Sequence, residues 1–227
     1  MMAVTVAVFL ATLLWSINSL RLAMDTRAQN DSVRLVVSEI AALKTANEVM
    51  NADYNQWDEA FARISAQDLH WIGDNYSFGV TLETSFDRLA IFDGPYNDPM
   101  SWGGGAGYAA NGEHVSRSAM TAAQRWLREN ADDDRTAIVS FYAMENGIPV
   151  IYSASFIIPH TDAIAMPDRI DALPISMMGR TLSPARLSHI SEVLDVSDIR
   201  FTTEDPGLQP HLVLRDLSGK GLGALVW

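Results

Sequence analysis

Apolar and polar positions change period twice along this chain. Met1 to Leu20 carries no charge and is almost wholly apolar between Ala3 and Leu14. From Asp31 a helical pattern sets in: Val33, Val36, Ile40, Leu43, Asn47, Met50, Tyr54, Trp57, Phe61 and Ile64 recur at steps of three and four without a break. Side chains so spaced share one helix face, and a seam sustained over several heptads winds two helices into a left-handed supercoil. No Pro or Gly interrupts the chain before Gly73, so the apolar stretch and the seam read as one rod, which Gly73 and Asp74-Asn75 bring to a stop. Asn47 in the seam is a device for fixing register and partner number. Val33, Val36, Ile40, Leu43, Asn47 and Met50 are expected to pair with a second copy in a homodimer. Tyr54 to Ile64 are expected to lie on the chain's own body, although the whole stripe could do so.

Beyond Gly73 the elements shorten. Residues 81–87 read as a short helix or turn, and Leu89-Ala-Ile-Phe-Asp-Gly-Pro as a strand closed at Asp93-Gly94-Pro95. Residues 94–113, rich in Gly, Asn and Pro, read as a flexible surface loop. Ser118 opens a helix to about Asn130, followed by a solvated turn at Asp132-Asp133-Asp134. Thr136 to Met144 and Ile148 to Ile158 flank Glu145-Asn146-Gly147 as a hairpin. Leu173 to Arg180 is a further strand, and Ser183-Pro184 opens a helix through Leu194. Strands at Asp198–Thr203, His211–Asp216 and Gly221–Trp227 complete the chain. The expected fold is α+β: a long helix packed on a PAS/Cache-like antiparallel sheet, with the helices on one side. It divides into an N-terminal transmembrane anchor at 1–20, a long signalling and dimerisation helix at 21–72, and a PAS-like body at 73–227.

Charge and composition narrow the function. A net charge of −12 argues against a general nucleic-acid partner, whose phosphates call for clustered Lys and Arg. The absence of cysteine removes disulfides and thiolate chemistry. A helix needs roughly 20 residues to cross the hydrocarbon, so Met1 to Leu20 is barely long enough for an anchor; a buried soluble helix is the alternative. No basic n-region or small-x-small cleavage site marks a signal peptide. Arg21 and Arg27 follow the span and lend no positive-inside support to an exported body.

Chemical motifs are sparse. Trp102-Gly103-Gly104-Gly105-Ala106-Gly107 lacks the Walker spacing and its Lys-Ser/Thr, and the dinucleotide fingerprint lacks its third Gly. Asp132-Asp133-Asp134 lacks the alternating ligands of an EF-hand. The histidines are scattered, with His160-Thr161-Asp162 the nearest approach to a metal pair. No catalytic role, metal or cofactor is expected.

Five stretches carry a resemblance over roughly residues 50–225: Asp53 to Phe61 with its Trp57-Asp58 pair, Leu89-Ala-Ile-Phe-Asp-Gly, Ala154-Ser-Phe-Ile-Ile, Gly179-Arg180 with Thr181-Leu182, and Leu214-Arg-Asp-Leu-Ser-Gly-Lys. In this order they resemble the fourth class of CHASE domains, the extracytoplasmic sensory domains of bacterial receptors. The resemblance implies an inner-membrane protein with a periplasmic PAS-like sensor between two spans. Its cytoplasmic output would be a GGDEF cyclase or EAL phosphodiesterase of cyclic di-GMP signalling, or a histidine kinase. The chain stops at Trp227 inside an apparent strand, which points to a piece of a longer protein. In a PAS-like sensor an unidentified small molecule would sit between sheet and covering segments, lined by Trp57, Asp58, Trp71, Asn75, Phe141, Tyr142, Ser155 and Arg180. Arg180 could grip a carboxylate or phosphate, or pair with Asp58. The alternative function is a membrane-anchored dimerisation or protein-interaction module without a small ligand.

Overall fold

The structure, a computed structural model, describes residues 2–76, 86–103, 107–110, 114–132 and 135–227, with backbone alone at 2–11, 76, 96–97 and 107–110. Most of the short helix or turn expected at 81–87 lies outside these residues, as do glycine-loop positions 104–106 and two of the three aspartates at 132–134.

Helix α1 runs from Met2 to Asn55, 54 residues, which is about 80 Å at 1.5 Å per residue. It ends well before the Gly73 stop expected from sequence. The chain's own later segment ends it: the Ile158 amide donates to the Asn55 carbonyl at 3.0 Å, and Gln56 bridges Ile158 in parallel. Trp57 is extended, with φ −141° and ψ 119°. A helix restarts as α2 (Asp58–Ser65), burying Ala60, Phe61 and Ile64. A short α3 (Leu69–Trp71) and a π-helical turn (Ile72–Tyr76) follow.

Among the described residues nine strands follow: β1 (Arg88–Asp93), β2 (Tyr96–Gly103), β3 (Gly107–Ala110), β4 (Ile138–Glu145), β5 (Ile148–Phe156), β6 (Ile175–Thr181), β7 (Arg200–Thr202), β8 (His211–Arg215) and β9 (Gly221–Val226). The first six form one antiparallel sheet in the order β3-β2-β1-β6-β5-β4, and the last three a small sheet in the order β7-β9-β8. The stretch 94–113, expected to be a surface loop, thus holds β2 and β3. Met100 and Trp102 of β2 are buried opposite Ile91 and Leu89 of β1. Asn, Pro and Gly between them hide the alternation in the sequence. The hairpin at Asn146-Gly147 forms as expected, both residues at positive φ. Helix α4 (Arg117–Glu129) is capped by Ser116 rather than Ser118, and α5 (Pro184–Leu194) by Ser183.

Helices cover both faces of the large sheet, not one. Ser153 and Ser155 of β5 lie on the side of α1. Tyr152, between them in the alternation, donates to Glu145 at 2.8 Å, and Glu145 accepts from the Ser116 amide that opens α4. Hence every residue of β6 is buried, and strands covered on both faces read as continuous apolar runs.

The seam of α1 also departs from expectation. Val36 and Ile40 are buried with Ile151, Leu182, Leu187, Ile190, Ile199, Leu214 and Leu225 of the same chain, and Leu43 packs on that cluster. Asn47 donates to the Ile151 and Met178 carbonyls at 3.4 and 3.1 Å, and Met50 packs on the main core. Val33, at the start of the row, is half-buried. The inward stripe that spacing assigned to a second copy therefore lies on the chain's own sheets, because a helical period names a buried face without naming what buries it. The C-terminal Trp227 closes the body onto α1, its indole N–H donating to Ser32 Oγ at 3.1 Å. Residues 12–31 stand clear of the body and are exposed. Among the described residues no helix is long and apolar enough to cross a membrane; the side chains of 1–11, most of the expected anchor, lie outside them.

Gly179 of β6 sits against the ring of Tyr152, where an added Cβ would lie 2.5 Å from Cε1 and 3.1 Å from Arg88 Cβ. The ring is buried and tied by its hydroxyl to Glu145, so it has little room to yield. Gly179→Ala is expected to lower stability by about 1–3 kcal/mol, read as a fall in the urea midpoint with unchanged slope.

Candidate functional site

Three polar centres stand out, and they divide the residues expected to share one pocket. The first is the joint between α1 and α2. Asp58, first residue of α2, accepts the His160 and Thr161 amides on Oδ1 at 2.7 and 2.9 Å and the Thr161 hydroxyl on Oδ2 at 2.6 Å. The Thr161 hydroxyl, then the Thr161 amide, hold its pKa below the ordinary 3.8 against a small opposing effect of burial. With the Ile158–Asn55 bond, this clasp ties the segment after β5 across the break in the long helix. The Trp-Asp pair thus marks a helix break, not a point along a continuous helix.

Trp57 turns outward at the joint, 41 % exposed, and leans on Trp71 with ring centroids 5.2 Å apart at 52°. Asp68 caps α3 through the Trp71 amide at 3.1 Å, and Asn75 donates to the Trp71 carbonyl at 3.1 Å, which fixes the second indole. Tyr54, one turn back on α1, meets Phe86 edge-on at 5.7 Å. Asp53, Tyr54, Trp57, Asp74 and Asn75 line a cavity of about 480 Å³. Asp74 is also 2.9 Å from His70 Nδ1.

The second centre lies under α1. Asn47, Asn51 and Asn55, four residues apart, point at the sheet and are fully buried. Asn55 donates to Asn51 at 3.1 Å and to Ser155 Oγ at 2.6 Å; Ser155 donates to Asn51 Oδ1 at 2.7 Å. Asn51 reaches the Ser176 carbonyl at 3.5 Å. Asn47 Oδ1 and the hydroxyls of Ser140, Ser153 and Ser176 are buried with no hydrogen-bond partner among the described residues. The interface expected to hold a ligand is thus occupied by the protein's own amides and hydroxyls, and Ser155 belongs to this ladder.

The third centre surrounds the buried carboxylate of Asp87. It accepts from the Thr181 hydroxyl at 2.6 Å, the Thr181 amide at 3.0 and 3.1 Å, and Arg186 Nη1 at 3.1 Å. Arg88 bridges Thr181 Oγ1 and the His114 carbonyl. Arg180 is buried here; desolvation first, then the Arg186 guanidinium, pull its pKa below the usual arginine value while Asp87 opposes them. Arg180 lies opposite Ile151 in the ladder whereas Gln56 bridges Ile158. Seven strand residues of roughly 3.3 Å each therefore separate its level from the joint, roughly 20 Å. An Asp58–Arg180 pair does not form.

Phe141 and Tyr142 fall in different clusters, Phe141 stacking at 5.9 Å on Tyr152. Burial raises the pKa of Tyr142, and burial reinforced by the Glu145 carboxylate raises that of Tyr152 further. Of the expected lining, then, Trp57, Trp71 and Asn75 come together, with Asp58 beside them but engaged by the 160–161 loop. The other four lie elsewhere. Sequence reasoning overlooked Asp53, Tyr54 and Asp74 as lining and Asn51 and Asn55 as a ladder. The signals were there: Asp53 and Trp57 are four apart, and three asparagines recur at every fourth position.

A carboxylate with a depressed pKa stabilises the fold above its unfolded pKa and loses that contribution as pH falls through its folded value. Asp58→Asn is therefore expected to be less stable than the parent chain at neutral pH, with the gap closing as pH drops to and below 3.8. Urea midpoints across that range read it; a gap independent of pH would show that the carboxylate charge plays no part.

No curated protein matches the chain. Among protein families, the CHASE4 domain matches residues 44–201, more than half of the chain. The matched span contains the asparagine ladder, the joint with its Trp-Asp pair, the whole of the large sheet and the Asp87 cluster. Four of the five stretches that carried the resemblance lie within it, and Leu214 to Lys220 lies beyond its end. With fold and family match in agreement, the chain belongs to the CHASE4 family of extracellular sensory domains found in signalling receptors.

Proposed function

We propose that this chain is the periplasmic ligand-sensing part of a bacterial signal transducer held in the inner membrane by its N-terminal apolar stretch, with no catalytic role of its own. The long helix passes ligand-induced shifts to an output such as a diguanylate cyclase, a phosphodiesterase or a histidine kinase. The observation that carries the reading is α1. Its last turn forms a wall of the cavity at Asp53 and Tyr54, its middle rests on the sheet through the asparagine ladder, and its first half stands clear of the body. One rigid element therefore joins the cavity to the end of the molecule that faces the bilayer. A ligand acts by binding one arrangement of α1 and sheet more tightly than another; equal affinity for both would shift nothing.

A homodimer suits the same reading, through the outward face of α1. Leu13, Ile17, Leu20 and Met24 are exposed at alternating steps of four and three, and Leu35 and Val49, two heptads apart, are exposed farther along the helix. Disulfide crosslinking in membranes is expected to trap dimers with Leu35→Cys and not with Ile40→Cys, which the body buries; the reverse would put the interface on the inward stripe.

The sensing role is tested by thermal shift with a panel of small metabolites. A ligand at a hundred times its Kd adds about 2.7 kcal/mol to the stability of the body. Unmoved melting across cationic, anionic and neutral compounds would instead favour the interaction module without a ligand.

A further inference from the structure

Among the described residues, the cavity beside the joint has walls of aromatic and acidic or amide character. Tyr54 and Trp57 contribute aromatic faces, the second braced by Trp71, and Asp53 and Asp74 contribute carboxylates. Asn75 has one amide N–H on the Trp71 carbonyl, and its carbonyl oxygen remains as an acceptor for a ligand beside its second N–H. These lining residues include neither lysine nor arginine. At about 480 Å³ the cavity lies within the range of small-molecule sites, roughly 300–1,000 Å³.

Charge and shape select among ligands. An anion would lie against two carboxylates. A neutral apolar molecule would strip water from both and return no hydrogen bond. A bare metal ion would leave the aromatic walls unused. A positively charged organic group satisfies the whole lining, since aromatic faces attract cations through their quadrupole and carboxylates make their strongest hydrogen bonds with charged donors.

We infer that this cavity binds a small organic ammonium ion, with its charged head over Trp57 and Tyr54 and its N–H groups on Asp53, Asp74 and Asn75. The inference rests on the sensing role proposed above and narrows it to one ligand class. It also supplies the differential contact that signalling requires. Asp53 and Tyr54 belong to α1, while Asp74 and Asn75 belong to the π-helical turn. An ammonium ion held by both draws that turn against the end of the long helix.

Isothermal titration calorimetry of the 227-residue chain with n-butylammonium and piperidinium, both of which carry N–H donors, tests it, with n-butanol and butyrate as neutral and anionic counterparts. At least one ammonium probe is expected to bind saturably while both counterparts stay silent. Asp53→Asn and Trp57→Ala are each expected to weaken binding roughly five- to tenfold, from the loss of a charge-assisted bond or of the principal cation–π face. Both residues are exposed, and an unchanged far-UV circular dichroism spectrum confirms that the variants fold. Butanol binding as well as butylammonium, affinities unchanged in both variants, or no heat from either ammonium probe would each overturn the assignment. The thermal-shift panel separates the two claims. Stabilisation by an anionic or neutral compound with both ammonium probes silent removes the ligand class and leaves the sensing role, whereas silence of every compound removes both.

Discussion

The asparagine ladder decides how this molecule is put together. Apolar contact alone sets the face of a helix that meets a sheet but leaves its position along the axis loosely specified, since burial is non-directional. Hydrogen bonds from Asn47, Asn51 and Asn55 to the Ile151, Met178 and Ser176 carbonyls and to Ser155 remove that freedom. They hold α1 at one level across β5 and β6, with the Val36–Ile40 cluster on one side and the Met50–Tyr54 contacts on the other. The ladder is not saturated: Asn47 Oδ1 and the hydroxyls of Ser140, Ser153 and Ser176 have no partner among the described residues. An unmet buried polar group costs about 1–3 kcal/mol. The seated position of the helix is thus specific, and part of its polar contact is left unmet.

The joint at Asn55–Asp58 supplies the other half of the design. A continuous helix through this point would carry Trp57 on the inward face with Tyr54 and Phe61. The segment after β5 captures the Asn55 carbonyl and, through Asp58, fixes where α2 begins. Freed from the helix, Trp57 turns to the surface and meets Trp71, and the cavity forms between α1 and the π-helical turn. The cavity and the ladder are therefore neighbours on one helix, with Asn55 following directly on the lining residues Asp53 and Tyr54. The Asp87–Thr181–Arg186 cluster lies far along the sheet from this region. It anchors the end of β6 to the start of α5, and Arg180 lies within the electrostatic reach of Asp87 and Arg186.

Much of this was legible in the chain. The rod of α1, the hairpin at Asn146-Gly147, the Ser183-Pro184 start of α5, the strands after it and the order of the family's stretches all rest on local signals: period, turn residues and caps. Where expectations failed, a distant partner had overridden the local pattern. Strands β2 and β3 hide among Asn, Pro and Gly because pairing with β1, not propensity, makes them strands. Ser116 caps α4 in place of Ser118 at the point where the Glu145 carboxylate, remote in sequence, receives its amide.

The amino-acid order by itself determined that a long helix precedes a mixed body, that its inward stripe is buried, and that the Trp-Asp pair belongs to a sensory family. Local periodicity and short motifs carry those facts, and neither depends on what the chain meets later. Only the tertiary structure decided that the stripe is covered by the chain's own sheets, that the helix breaks at Trp57, and that Asp53, Asp74 and the two indoles converge while Arg180 does not. The first turns on which of two surfaces reaches a helix face, the second on bonds between residues about a hundred positions apart, and the third follows from the break they make; spacing along the chain contains none of these.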